Sequence, residues 1–190
     1  MILGITGGTG CGKTTLLELI REKGGLVLDC DAIYHALLTT DKAMLAAIEA
    51  RFPGTVENGQ LQRKKLGAIV FGDKAALEDL NRITHGAVKK EVLRQLDPEP
   101  KLAAIDAIGL FESGLDKLCK LTVAVVAPKD QRIRRLMARD GITESYAAAR
   151  IDAQPSGEEF ARRCDYTLVN DGTREEFREK CLAFLTQAGL

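Results

Sequence analysis

The chain has 190 residues and a mass of 20.6 kDa, with 27 Lys and Arg against 27 Asp and Glu, so its formal net charge is zero. That length suits one compact domain with room for an inserted subdomain, and 45% apolar with 28% charged residues is the balance of a folded chain, not a disordered one. A neutral total argues against a general coat for nucleic acid or an acidic membrane, since those partners select a basic excess. The longest strongly apolar run, Leu121 to Ala127, is far short of the roughly 20 residues a membrane-spanning helix needs. Met1 to Gly8 lacks the basic flank and long apolar core of an export signal. Cys11, Cys30, Cys119, Cys164 and Cys181 make no CxxC pair and no zinc knuckle, so a reducing cytoplasm is expected, with the four other than Cys11 as small buried hydrophobes.

Short apolar runs alternate with longer helical patterns, which predicts a parallel sheet wrapped by helices. The first predicted strand is Ile2–Thr6, followed by the loop Gly7–Thr14 and an amphipathic helix over 13–23 carrying Leu16, Leu17 and Ile20. The loop satisfies G-x-x-x-x-G-K-[ST] in the strand–loop–helix context that the pattern requires. Gly8, Gly10 and Gly12 permit close approach, so that backbone N–H groups converge on phosphate oxygens at a helix N-terminus. With Cys11, Lys13, Thr14 and Thr15 they form the expected ATP-binding set. Lys13 supplies a mobile charge for the β and γ phosphates, and the Thr14 hydroxyl is the expected Mg²⁺ ligand. Cys11 reads as a small residue at a variable loop position, with a redox switch as the alternative.

The second predicted strand, 26–30, carries Asp29 and is followed by Asp31. Asp31 has two readings: a cap for a helix starting at Ala32, or the carboxylate that orients a phosphoryl acceptor and takes its proton. His35, four residues on, is placed to face it. Helical patterns follow at 32–39, 42–51, 64–71 and 74–95 before the turn Asp97–Pro100 and the third strand, 102–108. About 70 residues thus stand where a crossover needs one helix, so 39–96 reads as a helical insertion forming one wall of a cleft. Strands at 121–127 and 166–169 and helices at 129–139, 144–152, 157–163 and 174–188 complete the pattern. Arg132, Arg135 and Arg139 share one helical face. A solvated face is the ordinary reading for the first two, whereas Arg139 ends its helix beside Asp140 and Gly141, where a lid hinge is expected to bring it to ATP.

No Asn-Lys-x-Asp base-reading segment of GTPases is present, nor a Ser-Gly-Gly signature of ABC-type ATPases, which leaves a small P-loop kinase. In order, Gly4–Thr15, Asp29–Asp31, Arg63–Phe71, Leu80–His85, Leu110–Glu112, Arg139–Asp140 and Arg150–Gln154 resemble the motifs of dephospho-CoA kinases over essentially the whole chain. That resemblance implies transfer of the ATP γ-phosphoryl to the ribose 3′-hydroxyl of dephospho-CoA. It also implies an α/β three-layer P-loop kinase fold with a five-stranded parallel sheet: core 1–38, 97–139 and 153–190, helical acceptor domain 39–96 and lid 140–152. Its implied catalytic residues are Lys13, Asp31 and Arg139. Arg63, Leu66, Phe71, His85 and Glu112, with Asp31, are implied on the acceptor side, Glu112 toward either the ion or the acceptor. Packing is an equal alternative for His85. The family usually has Pro where this chain has Ile108-Gly109 ahead of Leu110, and Pro where it has Gly86, differences of backbone shape near the acceptor. A nucleoside or nucleotide kinase of the same architecture and an ATP-sensing module without transfer are the competing readings. No nucleic acid, no membrane, and a monomer or weak homo-oligomer are expected.

Overall fold

The computed structural model describes all residues, Met1–Leu190. Its centre is a five-stranded parallel sheet of β1 (Ile2–Thr6), β2 (Leu26–Asp29), β5 (Ala103–Asp106), β6 (Leu121–Val126) and β7 (Tyr166–Val169), ordered β2-β5-β1-β6-β7. β1 lies between β5 and β6, with Ile5 paired to Asp106 on one side and to Val123 on the other. Strands covered on both faces need apolar residues at successive positions, and Leu3, Ile5, Ala104, Val123 and Val125 are all fully buried. Against them pack Leu16 and Ile20 of α1 (Lys13–Glu22) and Phe177, Cys181 and Phe184 of α9 (Arg174–Gln187).

The chain divides into two compact units: Met1–Leu28 with Pro100–Leu190, and Asp29–Glu99. The second unit holds α2 (Cys30–Thr40), α3 (Lys42–Arg51), the hairpin β3 (Val56–Glu57) and β4 (Gln60–Leu61), α4 (Arg63–Val70) and α5 (Lys74–Gln95). α2, α3 and α4 all pack against the long α5. The hairpin is absent from the sequence expectation, although its turn residues Asn58 and Gly59 both take positive φ (52° and 75°), the geometry that an Asn-Gly pair favours between short strands. The first unit continues with α6 (Lys129–Asp140), α7 (Glu144–Asp152) and α8 (Gly157–Arg163). α6 ends on Gly141 in the left-handed region (φ 65°), which turns the chain into α7. Leu136, Ala147 and Ile151, with Ile133 and Ile142 beside them, close a small core of their own between α6 and α7. No helix is long and apolar enough to cross a membrane.

α2 begins at Cys30, ahead of the expected start, because Asp29 caps it: its carboxylate accepts the N–H groups of Asp31 and Ala32 at 3.0 Å each. The cap reading of Asp31 is therefore corrected. α5 runs unbroken through Gly86. Gly86 is exposed, and a Cβ there would meet nothing within 4 Å. Gly86→Ala is expected to raise stability by about 0.5–1 kcal/mol, because alanine loses less backbone entropy in a helix. The denaturant midpoint measures it; an unchanged or lowered midpoint would mean that the helix needs its glycine.

Candidate active site: the phosphate loop and the residues around it

Every carbonyl of the loop from Gly7 to Gly12 is tied to a donor of the protein. Lys13 Nζ donates to Gly7 O (2.8 Å), Cys11 N to Gly8 O (3.3 Å) and Thr15 N to Gly12 O (3.2 Å). Arg132 Nε donates to Thr9 O (2.9 Å), Arg135 Nη1 to Gly10 O (3.2 Å) and Asn170 Nδ2 to Cys11 O (2.9 Å). By contrast the N–H groups of Gly10, Gly12, Lys13 and Thr14 find no acceptor in the protein. With its carbonyls turned away and its amides free at the start of α1, the loop is a nest for an anion, and the helix dipole adds to its positive end.

Positive φ at Gly7 (139°) and Gly12 (93°) makes this shape possible, and a Cβ at Gly7 would stand 2.2 Å from the Val125 carbonyl in β6. Cys11, at 2% exposure, is buried in the same hydrophobic cluster as Leu16 and Val125, as a small hydrophobe is. The solvated reading of Arg132 and Arg135 is overturned. Arg132 is only 5% exposed, and Arg135 also donates to Gln131 Oε1 and Asn170 Oδ1 at 3.1 Å each. The side-chain pattern of α6 marks a charged face but not that the face lies on the carbonyls of a distant loop.

Lys13 Nζ lies 3.8 Å from Asp106 Oδ1, with both side chains largely shielded. Asp106, which sequence reasoning passed over, ends β5 beside β1. Its signal was present: the apolar run Leu102–Ile105 ends on a carboxylate, in the strand next to the one that feeds the loop. Thr14 is exposed at the start of α1, and Thr15 is half-buried. Thr14 and Asp106 together supply one hydroxyl and one carboxylate. No cluster of three or more His, Cys, Asp or Glu side chains builds a metal cage. That donor set suits an ion brought in by phosphate oxygens, as Mg²⁺ usually is.

Arg139, in the last turn of α6, makes a two-pronged ion pair with Asp140: Nε to Oδ1 at 2.7 Å and Nη2 to Oδ2 at 3.0 Å. Arg150 of α7 reaches the same Oδ2 at 2.8 Å. Hydrogen bonds from Arg139 foremost hold the Asp140 carboxyl down at about 2, so it stays ionised throughout the neutral range. Glu112 pairs with Arg163, whose guanidinium lies 4.4 Å over the Phe111 ring. Glu112 and its neighbour Phe111 are thus oriented by α8.

In the second unit Asp31 occupies the first turn of α2, exposed, and its carboxylate has no hydrogen-bond partner there. Its carbonyl accepts from His35 Nδ1 (2.7 Å), so that nitrogen carries a proton. His35 therefore meets the Asp31 backbone, not its carboxylate. Arg63 opens α4 on the surface, and its charge opposes the rise that burial imposes on the Tyr34 hydroxyl pKa. Leu66 is buried on the inner side of α4, whereas Phe71 just beyond the helix is 91% exposed. His85 is half-buried in α5.

The parallel sheet with β1 feeding a phosphate nest, and with a lysine and a strand-end carboxylate beside it, defines a P-loop kinase. The family model described as dephospho-CoA kinase matches residues 1–176. The chain belongs to the dephospho-CoA kinase family. The dephospho-CoA kinase of Geobacillus kaustophilus is 38% identical over 98% of this chain and 96% of its own. The solved structure of TT1252 from Thermus thermophilus superposes with a TM-score of 0.81 at 34% identity, covering 98% of this chain and 97% of the other. Dephospho-CoA kinase from Campylobacter jejuni gives 0.68 at 29%, covering 98% and 96%. These findings favour neither the nucleoside kinase nor the sensing module.

Proposed function

We propose that this kinase transfers the γ-phosphoryl of ATP to the ribose 3′-hydroxyl of dephospho-CoA, the last step of coenzyme A synthesis. The observation that carries the ATP half is the loop with all six carbonyls tied back and four amides free. Family membership carries the acceptor half.

In this reading the amides from Gly10 to Thr14 hold the phosphates and Lys13 neutralises charge that builds on the γ-phosphoryl. The Thr14 hydroxyl and Asp106 would hold the Mg²⁺ that comes with ATP, and that ion would offset phosphate charge. Asp31 accepts the proton of the 3′-hydroxyl as its oxygen bonds to the γ-phosphorus, and the bond from that phosphorus to the β–γ bridging oxygen breaks to release ADP. Arg139 exchanges Asp140 for phosphate when the lid, 140–152, closes and excludes water. Residues 39–96 form the acceptor domain, with Arg63, Phe71 and His85 as its contacts, Leu66 as the packing beneath them and Glu112 set by Arg163. Five cysteines that form no disulfide suit a cytoplasmic enzyme, and a monomer or weak homo-oligomer suffices because each chain carries the whole set.

The test is ADP release on adding acceptor. Dephospho-CoA is expected to support turnover at least about a hundredfold above AMP, CMP and nucleosides, the discrimination that binding contacts to a large acceptor supply. Equal rates with AMP or CMP would replace this substrate by a nucleotide.

A further inference from the structure

Thr9 is the loop residue whose two backbone polar groups are both held by side chains from elsewhere in the chain. Its N–H donates to Gln154 Oε1 at 2.8 Å, and its carbonyl accepts from Arg132 Nε at 2.9 Å. The two clamping side chains also meet each other, Arg132 Nη2 to Gln154 Oε1 at 3.4 Å. The neighbouring glycines make room for the clamp: a Cβ at Gly8 would stand 2.2 Å from Arg132 Nη2 and 3.0 Å from Gln154 Oε1, and one at Gly10 would stand 3.0 Å from the Arg132 carbonyl. These glycines therefore serve the clamp as well as the phosphate.

The charge is as telling as the geometry. Arg132 is 5% exposed and has no carboxylate within ion-pair distance, an arrangement that costs free energy unless dipoles or an incoming anion compensate it. Thr9 O and Gln154 Oε1 supply the dipoles, and the phosphate nest one residue away receives the anion. The two side chains also come from opposite ends of the lid. Arg132 lies in the first turn of α6, ahead of the hinge at Gly141, and Gln154 follows the last turn of α7.

We infer that Arg132 and Gln154 are positioning residues for phosphoryl transfer: together they fix the Thr9 peptide so that the loop amides face the phosphates before ATP arrives, and they root both ends of the lid on that one residue. This rests on the reading of the loop as the ATP site. Neither residue is assigned a contact with substrate. The lid, 140–152, pivots beyond these two roots and beyond Arg135, which stays on the Gly10 carbonyl, so the loop keeps its shape as the lid moves.

The test compares Gln154→Leu, which keeps the size and removes the acceptor oxygen, with Arg132→Lys and the double variant in the full-length protein. Each single change is expected to weaken equilibrium binding of a fluorescent ATP analogue by about tenfold or more, the size of one lost hydrogen bond to a charged or fixed partner. KM for dephospho-CoA should stay within about twofold, and the double variant should be no weaker than the worse single variant by more than about twofold, because both act through Thr9. A merely structural role would instead shift both KM values together with the unfolding midpoint. ATP affinity unchanged in Gln154→Leu, or losses that multiply in the double variant, would overturn the clamp. Gln154 is only half-buried, so this result stands even if Arg132→Lys fails to fold. An unaltered chain that binds no ATP would overturn the nucleotide site itself, and the clamp with it.

Discussion

Asp31→Asn is expected to lower kcat by about 10²–10⁴-fold, the range supplied by a positioned general base. The substitution keeps the shape and hydrogen-bonding reach of the side chain but removes its ability to take a proton. It should leave the fold intact for a specific reason: α2 is capped by Asp29, and the Asp31 carboxylate is exposed without a partner in its unit. Loss of a negative charge in the first helical turn costs only about 0.3–1 kcal/mol. ATP affinity, measured by titration calorimetry, should therefore change less than about twofold while turnover collapses. Turnover close to that of the unaltered chain would remove Asp31 from the chemistry and reopen the question of which carboxylate serves the acceptor.

Lys13→Ala should lower kcat/KM for ATP by about 10²–10³-fold, comparable to removing one preorganised donor from a site of developing charge. The ammonium group now sits between Gly7 O at 2.8 Å and Asp106 at 3.8 Å with 14% of its side chain exposed. A phosphate replacing these partners meets a cation that is already desolvated and aimed, so little reorganisation is needed when the reaction begins. Lys13→Arg is not expected to rescue activity, because the broad planar fork cannot occupy a nearly closed space shaped for a point charge. Initial rates at varied ATP decide the matter, and a loss below tenfold in Lys13→Ala would assign the charge stabilisation elsewhere, with Arg139 the next residue to change.

Much of the architecture was legible because its causes are local. β1 and β7, and the helices α3, α5, α7 and α8, have the boundaries that apolar periodicity and capping residues predict. Ser156 and Thr173 close reciprocal capping boxes with Glu159 and Glu176, a signal contained in four residues. The phosphate loop is equally local, since its glycines, lysine and threonines follow one another on a strand–helix turn. The sequence places the start of α2 two residues late, because two carboxylates, Asp29 and Asp31, compete for one cap. Strand geometry at Asp29 (φ −86°, ψ 106°) chose the first. The Asn58-Gly59 hairpin is not legible in the sequence despite its turn pair, because two-residue strands leave almost no alternation to read.

Taken alone, the amino-acid order determined the layered sheet, the phosphate-loop motif and the resemblance to the family, all features written in short windows or in the order of motifs. Which arginines serve the loop was decided only in three dimensions. Arg132 and Arg135 look like a solvated helical face, yet they end on Thr9 and Gly10, 123 and 125 residues away in sequence. The same holds for Asn170 on Cys11 and Gln154 on Thr9. Loop carbonyls must be satisfied once they are turned away from the phosphate, and donors for them come from whichever elements the sheet order brings alongside β1. That order, and with it the identity of those donors, is a property of the packed structure.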